Sequence, residues 1–178
     1  GRKEAYRDYR VSTVFLGGGT PSVLAGEDTA LIFSALRRNF DISAEAEITM
    51  EVNPGTVTEE KAAAWKQCGV NRLSIGLQSA DDRELKMLGR IHTIREFLDT
   101  WEIVRRAGFS NVNVDLSSAI PAQTEESWEH TLRTVAELGP EHLSAYSLII
   151  EEGTPFYEKY GSRDNDRHTA GALPLPDE

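Results

Sequence analysis

Glu51, Gln78 and Asp115 are two carboxylates and an amide, and each stands in a stretch that alternates apolar with polar or small residues: EITMEVN, RLSIGLQ and NVNVDL. Side chains of this kind hold the hydroxyl and ammonium groups of a polar ligand by hydrogen bonds. Upstream, VSTVFLGGGTPS (11–22) passes from a β-branched run into three consecutive glycines. Three glycines together are costly to order, and a chain keeps them where its backbone turns sharply or lets a ligand come close. Pro21 then fixes its own φ and pushes Thr20 toward an extended conformation, which stiffens the end of the loop. A tight strand-to-helix turn without any ligand accounts for the glycines equally well.

The alternation specifies how these groups are positioned. Ile48, Met50 and Val52 point one way from their strand, and Thr49, Glu51 and Asn53 the other. Leu73, Ile75 and Leu77 likewise oppose Ser74, Gly76 and Gln78, and Val112, Val114 and Leu116 oppose Asn113 and Asp115. Helical patterns separate the strands. They run over Glu27 to Phe40, from a Thr56-x-x-Glu59 capping box through Gln67, over Asp81 to Leu88, from a Thr93-x-x-Glu96 box to Ala107, and over Glu125 to Leu138. Gly69, Gly89, Gly108 and Gly139-Pro140 close them. Strands are expected at 11–17, 47–53, 72–78, 111–117 and 142–150, with 41–46 a connector and residues 1–10 the last turns of a helix.

Strands alternating with helices predict βαβ units, a parallel sheet and an α/β fold. Parallel strands packed between two helix layers should be apolar on both faces. These are polar on one, so the polar faces are expected to look into a shared interior. Burying such groups alone costs several kcal/mol, and a polar ligand in a partly open barrel supplies their partners. Glu51, Gln78 and Asp115, each near the carboxyl end of its strand, then form one binding constellation with the Gly17–Thr20 loop. An antiparallel sheet with one wet face also alternates, but the intervening helices speak against it.

At 178 residues with a formal charge of −10, the chain is one ordinary globular domain whose charge balance disfavours nucleic acid. No apolar run reaches membrane-spanning length and the N-terminus shows no signal-peptide pattern, so the cytoplasm is the expected location. The single cysteine, Cys68, excludes an internal disulfide and a CxxC-type metal site. Residues 162–178 are polar, aperiodic and Pro-containing, and read as a mobile linker or tail that includes His168 and leads to a C-terminal region not present here.

Six segments in order, GGGTPS (17–22), EVNPG (51–55), RLSIGLQS (72–79), LGRIH (88–92), NVNVDL (111–116) and EEGTPFYEKYG (151–161), resemble the radical S-adenosylmethionine (SAM) superfamily. Within it they resemble the oxygen-independent coproporphyrinogen III oxidase-like branch and, more narrowly, its haem chaperones. The resemblance implies a partial (β/α)6 TIM-like barrel over residues 1–161 with its first unit missing. It implies that Gly18, Gly19 and Thr20 hold the amino and carboxyl groups of SAM, with Glu51 at the same end. Gln78 and Asp115 would take the ribose hydroxyls, Arg90 the methionine carboxylate, and Ile149, on the last strand, would flank the adenine. It also implies a [4Fe–4S] cluster held by a CxxxCxxC loop that the family places before residue 1. Cys68 reads instead as a packing residue, and no residue of the chain is read as a metal ligand. Ser117, Ala119, Ala122 and Ala80 depart from the family, which carries a larger apolar residue, glycine, glycine and an aromatic there.

Two functions follow from the resemblance. One is a haem chaperone that binds a cluster, SAM and haem, takes electrons from a donor and passes haem to an acceptor protein. The other is an oxygen-independent coproporphyrinogen III dehydrogenase that decarboxylates propionates through a 5′-deoxyadenosyl radical. Gly89-Arg90-Ile91-His92 and Asn53-Pro54-Gly55 favour the chaperone. Without the cluster, these residues alone are expected to be catalytically inert. His92, adjacent to Arg90, could serve as a haem ligand, but a surface or satisfied loop histidine is expected there, and His130 and His142 are given no role.

Overall fold

The computed structural model describes residues 6, 8–160 and 175–176. The tail read over 162–178, His168 included, lies outside the described residues except for Leu175 and Pro176, as do residues 1–5. Along the chain run β1 (Arg10–Leu16), α1 (Gly26–Asn39), β2 (Asp41–Val52), α2 (Glu59–Gln67), β3 (Arg72–Gln78), α3 (Asp82–Met87), α4 (Ile94–Arg106), β4 (Val112–Ser118), α5 (Glu125–Leu138), β5 (His142–Ser147) and α6 (Pro155–Tyr160). The strands form one sheet in the order β1-β2-β3-β4-β5, and every neighbouring pair is parallel. This is the α/β half-barrel that the alternation predicts.

The apolar rows face outward onto the helices. Ile48, Met50 and Val52 of β2, Leu73, Ile75 and Leu77 of β3 and Val112, Val114 and Leu116 of β4 are buried with Phe33, Trp65, Phe97, Trp101, Val104 and Val135 from α1, α2, α4 and α5. Two helices hand the chain back to this core by the same device. After α2, Gly69 donates to Lys66 O and Val70 to Trp65 O; after α4, Gly108 donates to Arg105 O and Phe109 to Val104 O. In each, a glycine with positive φ is followed by a buried apolar residue, which is the Schellman end that these sequences predict. After α3, Gly89 donates to Lys86 O and Arg90 to Leu85 O, so the same turn delivers a basic residue instead.

Four local expectations are corrected. The stretch 41–46 is strand, not connector: β2 begins at Asp41, paired with Arg10, and an irregularity between Val11 and Thr13 absorbs the extra residues. Arg10 belongs to β1 rather than to a helix end. Helix α2 is capped by Thr58, whose hydroxyl accepts from Lys61 N, and not by Thr56. The Thr56 hydroxyl is already engaged with the Asn53 carbonyl and Ser22 Oγ, both at 2.7 Å. The last strand ends at Ser147 rather than Ile150: the Leu148 N–H still bonds Ser118 O, and the chain leaves the ladder after it. The Thr93/Glu96 capping box forms as read.

The loop after β4 contains a second departure from local preference. Ala119 and Ala122 adopt φ of +58° and +61°, where a Cβ is strained. Ala119→Gly and Ala122→Gly are each expected to stabilise the chain by about 0.5–1 kcal/mol, the strain relieved outweighing the freedom gained by the unfolded chain. The measurement is the urea midpoint at unchanged m value; a lower midpoint in both variants would contradict the strain.

Candidate functional site

The carboxyl ends of the strands converge on a cleft of about 340 Å3 lined by Gly18, Gly19, Thr20, Glu51, Asn53, Ser74, Gln78, Arg90, Asp115 and Tyr146. The structure thus brings together seven of the eight residues singled out in the sequence. Ile149 is the exception. It lies beyond the end of β5, 76% exposed, and does not line the cleft. Roomier grooves of about 500 and 550 Å3 lie between α1 and α2 and beside α5. Among the described residues, the lining of the first includes no carboxylate and that of the second no basic residue.

The glycine loop is shaped by Glu51. Gly18 adopts φ of +104° and donates its N–H to Glu51 Oε2 at 3.1 Å. A Cβ on Gly17 would sit 2.4 Å from the Phe15 ring and 2.9 Å from the Glu51 carboxylate, so any other residue there would have to displace both side chains. Downstream, Asn53 Nδ2 donates to Thr20 Oγ1 at 3.3 Å and Asn53 N to the buried Ser22 Oγ at 3.0 Å. Lys61 Nζ, reaching from α2, donates to the carbonyls of Ser22, Val23 and Thr56 at 3.0–3.3 Å. Ser22 and Lys61 carry no signal in the sequence, since a lysine early in a helix reads as solvated surface.

The interior polar groups find partners within the chain, which corrects the expectation that a ligand must supply them. Asp115 accepts from Ser74 Oγ at 2.9 Å and from Asn113 Nδ2 at 2.7 Å. Gln78 Oε1 accepts from Tyr146 OH at 2.9 Å. Asn113 Oδ1 in turn faces Ser144 Oγ and His142 Nδ1, so His142 takes part after all. Tyr146 escaped the sequence reading although β5 has the same alternation, His142, Ser144 and Tyr146 against Leu143 and Ala145. Arg90, half-buried at the rim, makes no side-chain hydrogen bond or ion pair among the described residues.

His92 is buried, and its Nε2 donates to the Leu77 carbonyl at 3.1 Å. It is the satisfied loop histidine that the sequence suggests. Burial, helped by the Arg90 charge and opposed by the Leu77 carbonyl, Glu96 and Asp82, holds its pKa below the usual histidine value. The neutral ring is therefore the one that folds. Its contribution is complete above about pH 6.5, the unfolded value, and is lost as pH falls through the lower folded value. The stability difference between wild type and His92→Gln, followed by thermal melts from pH 7.5 to 5, is expected to shrink toward acid. A constant difference would exclude the titration.

Cys68 sits away from the cleft, buried in the layer between α1 and α2, with its thiol pKa raised by burial. The Arg37 guanidinium donates to its carbonyl. Among the described residues no group of three or more His, Cys, Asp or Glu is placed to hold a metal, and no helix is long and apolar enough to cross a membrane. With one cysteine, the chain does not offer the three thiolates that a [4Fe–4S] cluster of the resembled type takes.

Comparison with known proteins places this geometry. The sequence model of the Radical SAM superfamily matches residues 2–135. The heme chaperone HemW of Escherichia coli is 42% identical over 146 residues, covering 82% of this chain and 39% of its own. A mitochondrial radical S-adenosyl methionine domain-containing protein 1 of Bos taurus is 39% identical over 168 residues, covering 94% and 36%. The solved coproporphyrinogen III oxidase (HemN) of Escherichia coli, a radical SAM enzyme, superposes with a TM-score of 0.77 at 32% identity, over 83% of this chain and 34% of that one. The chain spans well under half the length of each of these relatives. A parallel half-barrel with its polar cleft at the strands' carboxyl ends, and a family match across most of its length, make this chain a member of the radical SAM superfamily.

Proposed function

We propose that the chain is the SAM-binding part of a haem chaperone, with SAM held by Gly18, Gly19, Thr20, Glu51, Gln78, Arg90 and Asp115. The observation that carries this is Arg90, a half-buried arginine without an ion pair among the described residues, opening onto the same small cleft as two carboxylates. SAM is a zwitterion with a cationic sulfonium and a ribose. It asks for a cation at its carboxylate, an anion near its ammonium, and paired donors and acceptors at its hydroxyls, and the cleft supplies each. Glu51 uses one oxygen on Gly18 N–H and keeps lone pairs for an ammonium. Bound SAM would supply the chemistry of the superfamily. Ile149 is proposed to flank the adenine only as part of the segment after β5. The chain's residues do not fit the cluster, so no electron-transfer step is assigned to them.

The haem chaperone function is supported by the HemW relatives at 34–42% identity and by the Gly89-Arg90-Ile91-His92 and Asn53-Pro54-Gly55 segments. Its partners would be haem, an electron donor and a haem acceptor protein, in the cytoplasm. The second reading, oxidative decarboxylation of coproporphyrinogen III, draws on the 32% identity to the solved oxidase. The test is a titration with S-adenosylhomocysteine followed by amide NMR, with ATP as control. Saturable shifts at Gly18, Gly19 and the Arg90 loop are expected, and their absence overturns the SAM reading. A parallel haem titration read at the Soret band separates the two functions. Haem binding supports the chaperone; saturable binding of coproporphyrinogen III without haem binding supports the enzyme.

A further inference from the structure

From the inner face of β5 we infer that Tyr146 is a positioning residue for the cleft: it fixes the Gln78 amide so that Gln78 meets a ligand as a hydrogen-bond donor. The inference rests on the reading of the cleft as a nucleoside site and adds how that site chooses its ligand. Three alternate residues of β5, His142, Ser144 and Tyr146, face amide oxygens of β4, its neighbour, and of β3, the next strand over. Ser144 Oγ donates to Asn113 Oδ1 at 3.1 Å, and His142 Nδ1 approaches the same oxygen. With its oxygen engaged, Asn113 turns its NH2 to Asp115 Oδ1 at 2.7 Å and Ser74 Oγ at 2.8 Å.

Tyr146 does the same to Gln78 across two strands. Its hydroxyl donates to Gln78 Oε1 at 2.9 Å. The Gln78 backbone is held at φ of +76° where the β3–β4 register slips, a conformation that non-glycine residues rarely keep without support. The amide nitrogen lies over Gly76, where a Cβ would come within 3.2 Å of it. An amide has one acceptor oxygen and one donor nitrogen, so engaging the oxygen leaves the N–H groups for the cleft. Asp115, held from behind by Ser74 and Asn113, presents acceptor lone pairs a strand away. A donor beside an acceptor is the complement of adjacent hydroxyl groups, each of which gives one hydrogen and accepts another. Without the tyrosine hydroxyl the amide is free to turn over and present an acceptor to a neighbouring acceptor.

Adenosine and 2′,3′-dideoxyadenosine differ only in that pair of hydroxyls, and their affinities for the chain can be compared by NMR titration. In wild type adenosine is expected to bind more tightly. In Tyr146→Phe, which keeps the ring and removes only the oxygen, that preference is expected to fall about 3- to 10-fold while dideoxyadenosine affinity stays unchanged. In a Gln78→Ala background the same substitution is expected to add nothing, the coupling that a double-mutant cycle detects. A preference preserved in Tyr146→Phe, or an equal loss for both nucleosides, overturns the positioning role and leaves the site reading standing. Failure of wild type to bind either nucleoside overturns both.

Discussion

Arg90→Ala is expected to weaken S-adenosylhomocysteine binding about 10- to 100-fold, the value of a charge-assisted hydrogen bond to a carboxylate in a partly desolvated site. The placement of the residue explains why the loss should be large and local. Arg90 N–H is bound to Leu85 O, one residue past Gly89 at φ of +70°, so its backbone is fixed by the end of α3 and does not drift when the side chain is removed. The guanidinium has no ion pair among the described residues, so its deletion leaves no orphaned partner. Stability should accordingly change by no more than about 0.5 kcal/mol. Arg90→Lys restores the charge without the planar fork and should recover only part of the affinity. Methylthioadenosine lacks the amino-acid carboxylate and should bind wild type and Arg90→Ala equally. Equal affinities for S-adenosylhomocysteine in the two proteins would refute the carboxylate role. A matching loss for methylthioadenosine would show instead that the arginine shapes the cleft as a whole.

The half-barrel was legible because its signal is periodic and redundant. Three strands with apolar and polar rows of period two, separated by helices that start at threonines and end at glycines, admit few other architectures. The cleft was legible for the same reason, since Glu51, Gln78 and Asp115 stand toward the carboxyl ends of the polar rows of adjacent strands. What the sequence hid was competition between distant groups. Thr56 and Thr58 are equally good caps by local rules, and Ser22, more than thirty residues away, decides between them by taking the Thr56 hydroxyl. Asp41 to Ala46 does alternate, Ile42, Ala44 and Ala46 against Asp41, Ser43 and Glu45, but its apolar row is mostly alanine, which carries little strand preference, and the pairing with β1 makes it extended. Ile149 belongs to a continuous apolar run, LII, that reads as strand, but β4 ends at Ser118 and the ladder runs out once the Leu148 N–H has bonded it.

Glu84 is the plainest case of such concealment, and its replacement by leucine is expected to cost about 3–5 kcal/mol. In the sequence it sits in Asp81-Asp82-Arg83-Glu84, which reads as the solvated face of a short helix. In the fold it is 6% exposed and ringed by donors. Ser79 Oγ and Gln123 Nε2 bond to its Oε2 at 2.6 and 3.0 Å, and Ser127 Oγ bonds to its Oε1 at 2.6 Å. Leucine would supply apolar area but take the shared acceptor from all three donors. It would leave the half-buried Ser127 hydroxyl the Thr124 carbonyl at 3.0 Å, Gln123 Nε2 a long bond to the Ser117 carbonyl at 3.4 Å and the buried Ser79 hydroxyl only Thr131 Oγ1 at 3.5 Å, with about 1–3 kcal/mol lost for each donor left poorly paired. Glu84→Gln keeps one oxygen for Ser79 and Gln123, and the Ser127 hydroxyl can turn to accept from its NH2. That variant should lose only about 1–2 kcal/mol. The two costs, measured by urea unfolding, test whether the carboxylate acts as an acceptor hub or as a filler of space; leucine at least as stable as glutamine would sink the hub. The hub matters to the cleft because of what it joins. Ser79 follows Gln78, its hydroxyl also accepts from Asp81 N, and Ala80 N is held by Thr131 from α5. Gln123 ends the strained Ala119–Ala122 loop after β4. One buried carboxylate therefore ties together the turns that follow β3 and β4, the two strands that carry Gln78 and Asp115. Loosening it should broaden the amide signals of both turns before the protein unfolds.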